Sequence, residues 1–346
     1  MADPDTLGAA TVPGPSLLRR MDARLPIIRL FLGKLLSALL LILGVVTVNF
    51  ILVHLAPGDP VAVLVGETEP TPEQLQALYA RMGLDQPLYI QYLRYLQAIV
   101  QGDLGYSYVS QASVASLIFE RLPATFGLVF SSLVTFSALG VALALAVAAR
   151  PYSWFDNLGS VLAVIGHSVP TFWLGQLALV CFAMWLGWFP TNGMTTTRLQ
   201  LTGVDYVLDL LHHLVLPGVV LGLRYLAINF RFARASMRDA LSQDYIVAAR
   251  AKGLGEGRVL YHAFRNGILP VVTVFALNVS DVLAGAVLTE IVFGWPGLGR
   301  LMYDAMYARD YPLLMGMFLF ISIGVITVNF LVDILYGVLD PRVRAH

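Results

Sequence analysis

Six runs of apolar residues, each close to or above the length of a helix that crosses a bilayer, dominate the sequence. They lie at about Leu35–Leu55, Thr125–Ala149, Leu158–Phe189, Leu214–Phe232, Ile268–Phe293 and Leu313–Leu339. A helix crossing hydrocarbon needs roughly 20 such residues, and a helix suits that solvent because it bonds its own backbone. Only 13% of the chain is charged, against roughly a quarter in an ordinary soluble domain. These features predict an all-α integral membrane protein with six transmembrane helices over residues 30–346. The third run contains Pro170, which predicts either one kinked, tilted helix or two shorter helices divided there. The first run outlasts the short apolar core of a cleaved leader, so it reads as a retained anchor. Residues 1–29 read as a loose tail rich in Pro, Gly, Ala and Arg. A net charge of zero gives no footprint for nucleic acid. The single cysteine, Cys181, allows no intrachain disulfide and no cysteine metal site.

Orientation follows from the basic residues, which favour the cytoplasmic side of a membrane. Arg19, Arg20, Arg24, Arg29 and Lys34 precede or open the first run, and Arg342 and Arg344 follow the last. The end of the fourth run and the stretch after it hold Arg231, Arg234, Arg238, Arg250, Lys252, Arg258 and Arg265 against Asp239, Asp244 and Glu256. Between Leu55 and Glu120 there are only Arg81 and Arg94 against seven acids. Both termini and the loop 233–267 are therefore expected in the cytoplasm, with the loop 56–122 outside.

Both loops carry helix signals. In the outer loop, Thr71-Pro72-Glu73-Gln74 reads as an N-cap, a proline at the first helical position and a capping-box partner. Gly83 stops that helix, Gln86-Pro87 starts another, and Gly102 ends it. Leu88, Tyr92, Tyr95, Leu96 and Ile99 give the second helix one apolar face, so the loop reads as a lid of amphipathic helices on the outer surface. In the inner loop, Gly253-Leu254-Gly255 breaks a helical pattern, and a second short helix runs to about Asn266, giving a helix–turn–helix. Small residues at Ala248, Ala249 and Ala251 allow another surface to approach the backbone. Gly253 permits a tight turn, and Pro270 fixes where the next span begins. An ordinary solvated loop is the alternative on spacing alone.

The sequence of the inner loop, Val247-Ala248-Ala249-Arg250-Ala251-Lys252-Gly253-Leu254 and later Leu269-Pro270, resembles the EAA loop of permease subunits of ATP-binding-cassette (ABC) importers. The initial Glu of that motif is Val247 here, and the gap to Leu-Pro is longer. Further fragments resemble the dipeptide, oligopeptide and nickel branch of the family. They are Pro57-Gly58-Asp59-Pro60, Gly102-Asp103-Leu104-Gly105-Tyr106-Ser107, Arg121-Leu122-Pro123-Ala124-Thr125, Glu290 to Gly299 (Glu-Ile-Val-Phe-Gly-Trp-Pro-Gly-Leu-Gly), Arg309-Asp310-Tyr311-Pro312 and Asp340-Pro341-Arg342. Together they cover about Leu30 to Arg344.

The resemblance implies a type I ABC importer permease fold with an outer helical lid and a cytoplasmic coupling-helix hairpin. It implies a multi-pass protein of the bacterial cytoplasmic (inner) membrane that imports peptides and is no enzyme. The implied partners are a second homologous permease, two cytoplasmic ABC ATPases and an extracytoplasmic binding protein. ATPase coupling falls to Ala248, Ala249, Arg250, Lys252, Gly253 and Leu254. No cofactor is implied, ATP being bound by the partners. Independently, a phosphate-cradling loop needs Gly-Lys-Ser or Gly-Lys-Thr, and neither of the two lysines, Lys34 and Lys252, is followed by Ser or Thr.

Charged groups inside spans are functional candidates. Asp281 stands where the family pattern favours a small residue. It would line the translocation path and attract a peptide's amino terminus, or pair with the partner subunit. Glu290 stands near the outer end, as a gate residue. Asp333, with Asn329 one turn before it, reads as a hydrogen-bond node, and Arg224 as a partner for one of these acids. Trp295, Trp185 and Trp188 fit an interfacial aromatic belt. His167-Ser168 fails as a hydrolase pair because adjacent helical residues do not face each other. His212-His213 lacks an evident third metal ligand. The rival reading, a secondary transporter driven by an ion gradient, calls for ionisable residues in several spans and repeated halves. The acids here are few, and no repeat is visible.

Overall fold

The computed structural model describes residues 25–55, 71–82, 84–107, 109–148, 151, 153–197, 200–284 and 286–339. The tail before Leu25, the Pro57–Pro60 turn, the Asp340–Arg342 end and the side chains of Asp281 and Asp333 lie outside what is described.

The helices are α1 (Leu25–Leu55), α2 (Pro72–Met82), α3 (Leu88–Val100), α4 (Val114–Ala148), α5 (Trp154–Ser168) and α6 (Thr171–Ala178). Helix α6 continues as a π-helical turn over Leu179–Trp185. Then come α7 (Gly203–Leu241), α8 (Asp244–Ala251), α9 (Glu256–Gly267), α10 (Leu269–Ala284), α11 (Val287–Val292), α12 (Leu298–Tyr307) and α13 (Tyr311–Leu339). A two-residue antiparallel ladder, β1 (Tyr106–Ser107) with β2 (Ala112–Ser113), pairs Tyr106 with Ser113 and leads into α4. Apart from that ladder, the described residues thus form an all-α fold. Among the described residues, four helical segments are long and apolar enough to cross a membrane: Leu32–Leu52, Val114–Ala148, Gly203–Leu241 and Tyr311–Val332. Two bent pairs pass the same test of length and apolarity only when joined: Trp154–Ser168 with Thr171–Trp185, bent by 101°, and Glu256–Gly267 with Leu269–Val279, bent by 50°.

Several boundaries differ from the sequence reading. At Pro170 the chain does divide: Val169 and Pro170 are extended, because proline disfavours α conformation in the residue before it. Helix α4 starts eleven residues before Thr125, since Pro123 sits within its first turns without ending it. Helix α7 runs to Leu241, past the Ala233 boundary, and begins at Gly203 with Pro217 inside. The fifth run is two helices, α10 and α11, with Ala286 out of helical geometry between them. Helix α1 starts at Leu25, inside the supposed tail.

The centre of the bundle is α4 against α7. Membrane helices gain little from hydrophobic exclusion, so small residues and polar bonds bring them together. A Cβ on Gly140 would lie 2.5 Å from the Leu226 carbonyl, and one on Gly222 would lie 2.1 Å from the Phe136 ring. Between the same helices, Asn229 Nδ2 donates to Ser137 Oγ at 2.9 Å, both residues being buried. The capping box appears at α2, where the Thr71 N–H donates to Gln74 and the Gln74 N–H to Thr71. Helix α3 folds back along α1: Tyr92 meets Thr47 at 2.7 Å, Asn49 donates to Tyr95, and His54 meets Gln91. Burial pushes the Tyr95 phenol above its ordinary value.

Candidate functional site

The hairpin formed by the end of α7, α8 and α9 has its own small core. Ile246, Val259 and Ala263 are buried against Met237, Ala240 and Ala148. That anchors one face of α8 and leaves the other bare: Val247, Ala248, Arg250, Ala251 and Lys252 are exposed, while Ala249 and Leu254 are half-buried. After α8, Gly253 adopts φ +79°, its N–H bonding to the Arg250 carbonyl, and the Leu254 N–H bonds back to Ala249. A left-handed residue is where glycine ends a helix at least strain. No atom lies within 4 Å of a Cβ built there, so the demand is conformational. Arg250 reaches Glu256 across the turn at 3.1 Å, an exposed pair of small energetic weight. The six expected coupling residues therefore lie on one short, rigidly based projection. At its root, Arg234 forks onto Asp156 through two hydrogen bonds, with Asp156 nearly inaccessible. The sequence reading did not single out this pair. Its signal was faint: an acid at the first turn of α5, capped by Ser153.

At the opposite end of the bundle the separate sequence fragments converge. Glu290 is 0% exposed. Its Oε1 accepts from the Thr125 hydroxyl at 2.8 Å and its Oε2 from the Arg300 N–H at 3.0 Å. Thr125 Oγ1 in turn accepts the Leu298 N–H at 2.7 Å. Trp295, 1% exposed, donates its indole N–H to the Ala124 carbonyl at 2.8 Å. The expectation that Trp295 lies in an interfacial belt is therefore corrected: it fills the core between α4 and α10. Trp185 and Trp188 are exposed. Nearby, the Ser107 hydroxyl bonds the Asp310 carboxylate, both buried, which joins two further fragments. Glycine is required in this turn by shape at Gly294, whose φ is +60°, and by contact at Gly297, where a Cβ would lie 2.4 Å from the Glu290 carboxylate.

Asp281 lies on α10, near its far end, without a described side chain. Arg224, expected to pair with an acid, is exposed and has no partner among the described residues. His212 bonds the Trp188 carbonyl and His213 the Asp209 carbonyl, so each histidine has a local partner. Asp209 accepts from the Thr196 N–H and hydroxyl, pinning the preceding loop to α7.

Comparison with known proteins bears on both ends. The family model described as binding-protein-dependent transport system inner membrane component matches residues 137–345, and the model of its N-terminal part matches residues 27–129. The chain is 39% identical over 320 residues to the dipeptide transport system permease protein DppB of Escherichia coli (strain K12), covering 87% of this chain and 94% of that protein. It is 37% identical over 313 residues to the oligopeptide transport system permease protein AppB of Bacillus subtilis (strain 168), covering 90% and 98%. It is 38% identical over 314 residues to the glutathione transport system permease protein GsiC of Salmonella typhimurium, again covering 90% and 98%.

Proposed function

The chain belongs to the family of binding-protein-dependent transport system inner membrane components, and from that premise we propose that it is the permease subunit through which an ABC importer takes up short peptides. The relatives are named for dipeptide, oligopeptide and glutathione transport, and the chemistry they share is a short peptide. The observation that carries the mechanism is the hairpin: a short helix fixed on one face by Ile246 and bare on the other. Such a projection can seat in a groove of a separate motor and pass its displacement to α7 and α10, to which it is continuous. ATP hydrolysis is assigned to two partner ATPases, one docking on Ala248, Ala249, Arg250, Lys252, Gly253 and Leu254 of this chain and the other on the second permease. A second permease completes the pathway, and an extracytoplasmic binding protein delivers cargo at the opposite end. The hairpin and both termini are assigned to the cytoplasm, on the strength of the basic residues gathered there. Asp281 is assigned to the translocation path, where a carboxylate would draw a peptide's amino terminus. Glu290, buried, would act on the gate through the turn it holds rather than by touching cargo.

The test is uptake by the whole importer in vesicles. Gly253→Leu forces a side chain into a left-handed residue, costing roughly 1–2 kcal/mol locally, and places bulk on the docking face. ATP-dependent dipeptide uptake should be lost while membrane insertion is kept. Full transport by that variant, or uptake by the isolated chain driven by an ion gradient, would overturn the assignment.

A further inference from the structure

Helix α7 carries Arg224 and Arg231, seven residues apart. That spacing returns them to nearly one face, about 10 Å apart along the axis. Both are exposed, and neither has a hydrogen-bond or ion-pair partner among the described residues. Arg234 differs, its guanidinium being held by Asp156. The other sides of α7 are taken. Gly222 and Asn229 face α4, Leu221 and Tyr225 pack with the α10 residue Val282, and Ala227 and Phe230 border the apolar groove beside α5. Arg224 follows an unbroken apolar stretch, Leu214–Leu223, so its charge sits inside the spanning region. Arg231 lines a cleft of about 350 Å³ between α5 and α7. The other polar groups there are committed: Ser160 donates to the Asp156 carbonyl, and Arg234 is paired.

A guanidinium exposed at such depth is stable against water, an acid of this or another chain, or a passing anion. Its planar fork matches a carboxylate at two points. We propose that Arg224 and Arg231 form a track that binds the C-terminal carboxylate of a peptide as it crosses. This inference rests on the peptide-permease reading above and names the cargo group that the site takes. Every linear peptide with a free C-terminus offers that carboxylate whatever its side chains, so the track binds cargo of varied sequence. Two positions along one face let the anion pass from one to the next.

The experiment uses the complete importer in vesicles and two cargoes, a dipeptide with a free carboxylate and the same dipeptide amidated. For each cargo the ratio of wild-type to variant uptake is taken, so that selection by the binding protein cancels. Arg224→Gln and Arg231→Gln should each lower uptake of the free acid by about tenfold, the weight of one charge-assisted contact, and leave the amide ratio near one. Arg224→Lys should keep most of the free-acid uptake. Equal loss for both cargoes would mean a strut to the partner permease and would overturn the proposal. So would a loss that appears only in vesicles of anionic lipid and vanishes in neutral lipid, which would assign the arginines to lipid phosphates, and so would no change at all. Failure of the wild type to import either dipeptide would sink the peptide reading itself, and is distinct from these results.

Discussion

Glu290 and Trp295 show how much a single side chain carries here. The Thr125 hydroxyl is committed at both ends, accepting from Leu298 and donating to Glu290. Glu290→Gln therefore turns an amide N–H toward one donor or another and leaves a buried polar atom unmatched, at about 1–3 kcal/mol. Trp295→Phe keeps most of the ring and removes only the indole hydrogen bond to the Ala124 carbonyl, which retains its helical partner, for roughly 1 kcal/mol. The expected order of lost thermal stability in the purified importer is Glu290→Gln beyond Trp295→Phe, and the reverse order would refute this account of the turn. Asp156→Asn should cost more than either. Breaking a buried ion pair costs about 3–5 kcal/mol, and the lower end applies because the Arg234 side chain keeps 22% of its surface. The loss should appear as release of the α5–α7 contact in hydrogen exchange. The sequence flagged Glu290 because a carboxylate in an apolar run is conspicuous. It misplaced Trp295 because an indole beside a turn looks the same whether it meets lipid or a neighbouring helix.

Among the elements, the α4–α7 contact bears the closest packing. Two glycines bring the helices together, and their neighbours differ in what can yield. A Cβ on Gly140 meets backbone, the Leu226 carbonyl, whereas one on Gly222 meets the Phe136 ring. Overpacking costs roughly 1–3 kcal/mol. Gly140→Ala should therefore lower the midpoint of thermal inactivation more than Gly222→Ala. Phe136→Leu should rescue only the second, and rescue of Gly140→Ala by it would contradict this reading of the interface. The broken third crossing was half legible: proline marks where helix hydrogen bonding fails, but a kink and a 101° division share that mark. Which one occurs depends on what α5 and α6 pack against. The capping box of α2 and the glycine turn after α8 were read correctly because both are local, set by residues within four positions of one another.

At the scale of the molecule, the two ends of the bundle divide the work. The 18-residue apolar windows of α1 and α13 are only 17% buried, against 39% for α4, so these outer helices must meet lipid or another subunit. The hairpin end and the opposite end are expected on different sides of the membrane. With Cys181 first replaced by serine, Ala248→Cys should react with an impermeant thiol reagent in inverted vesicles and not in intact cells. Gln101→Cys, exposed at the other end, should do the reverse. Labelling of Ala248→Cys from outside would invert the topology and remove the hairpin from any cytoplasmic motor.

Apolar runs, local caps, the helix–turn–helix hairpin and the family fragments could be read along the chain, because each depends on hydropathy summed over a window or on contacts between near neighbours. Tertiary structure alone decided that Thr125, Glu290 and Leu298 share one bond network, that Ser107 meets Asp310, and that Asp156 holds Arg234. It also decided that Arg224 is left exposed on α7. These partners lie between 78 and 203 residues apart, and whether a polar side chain is satisfied or free depends on which distant helix passes beside it.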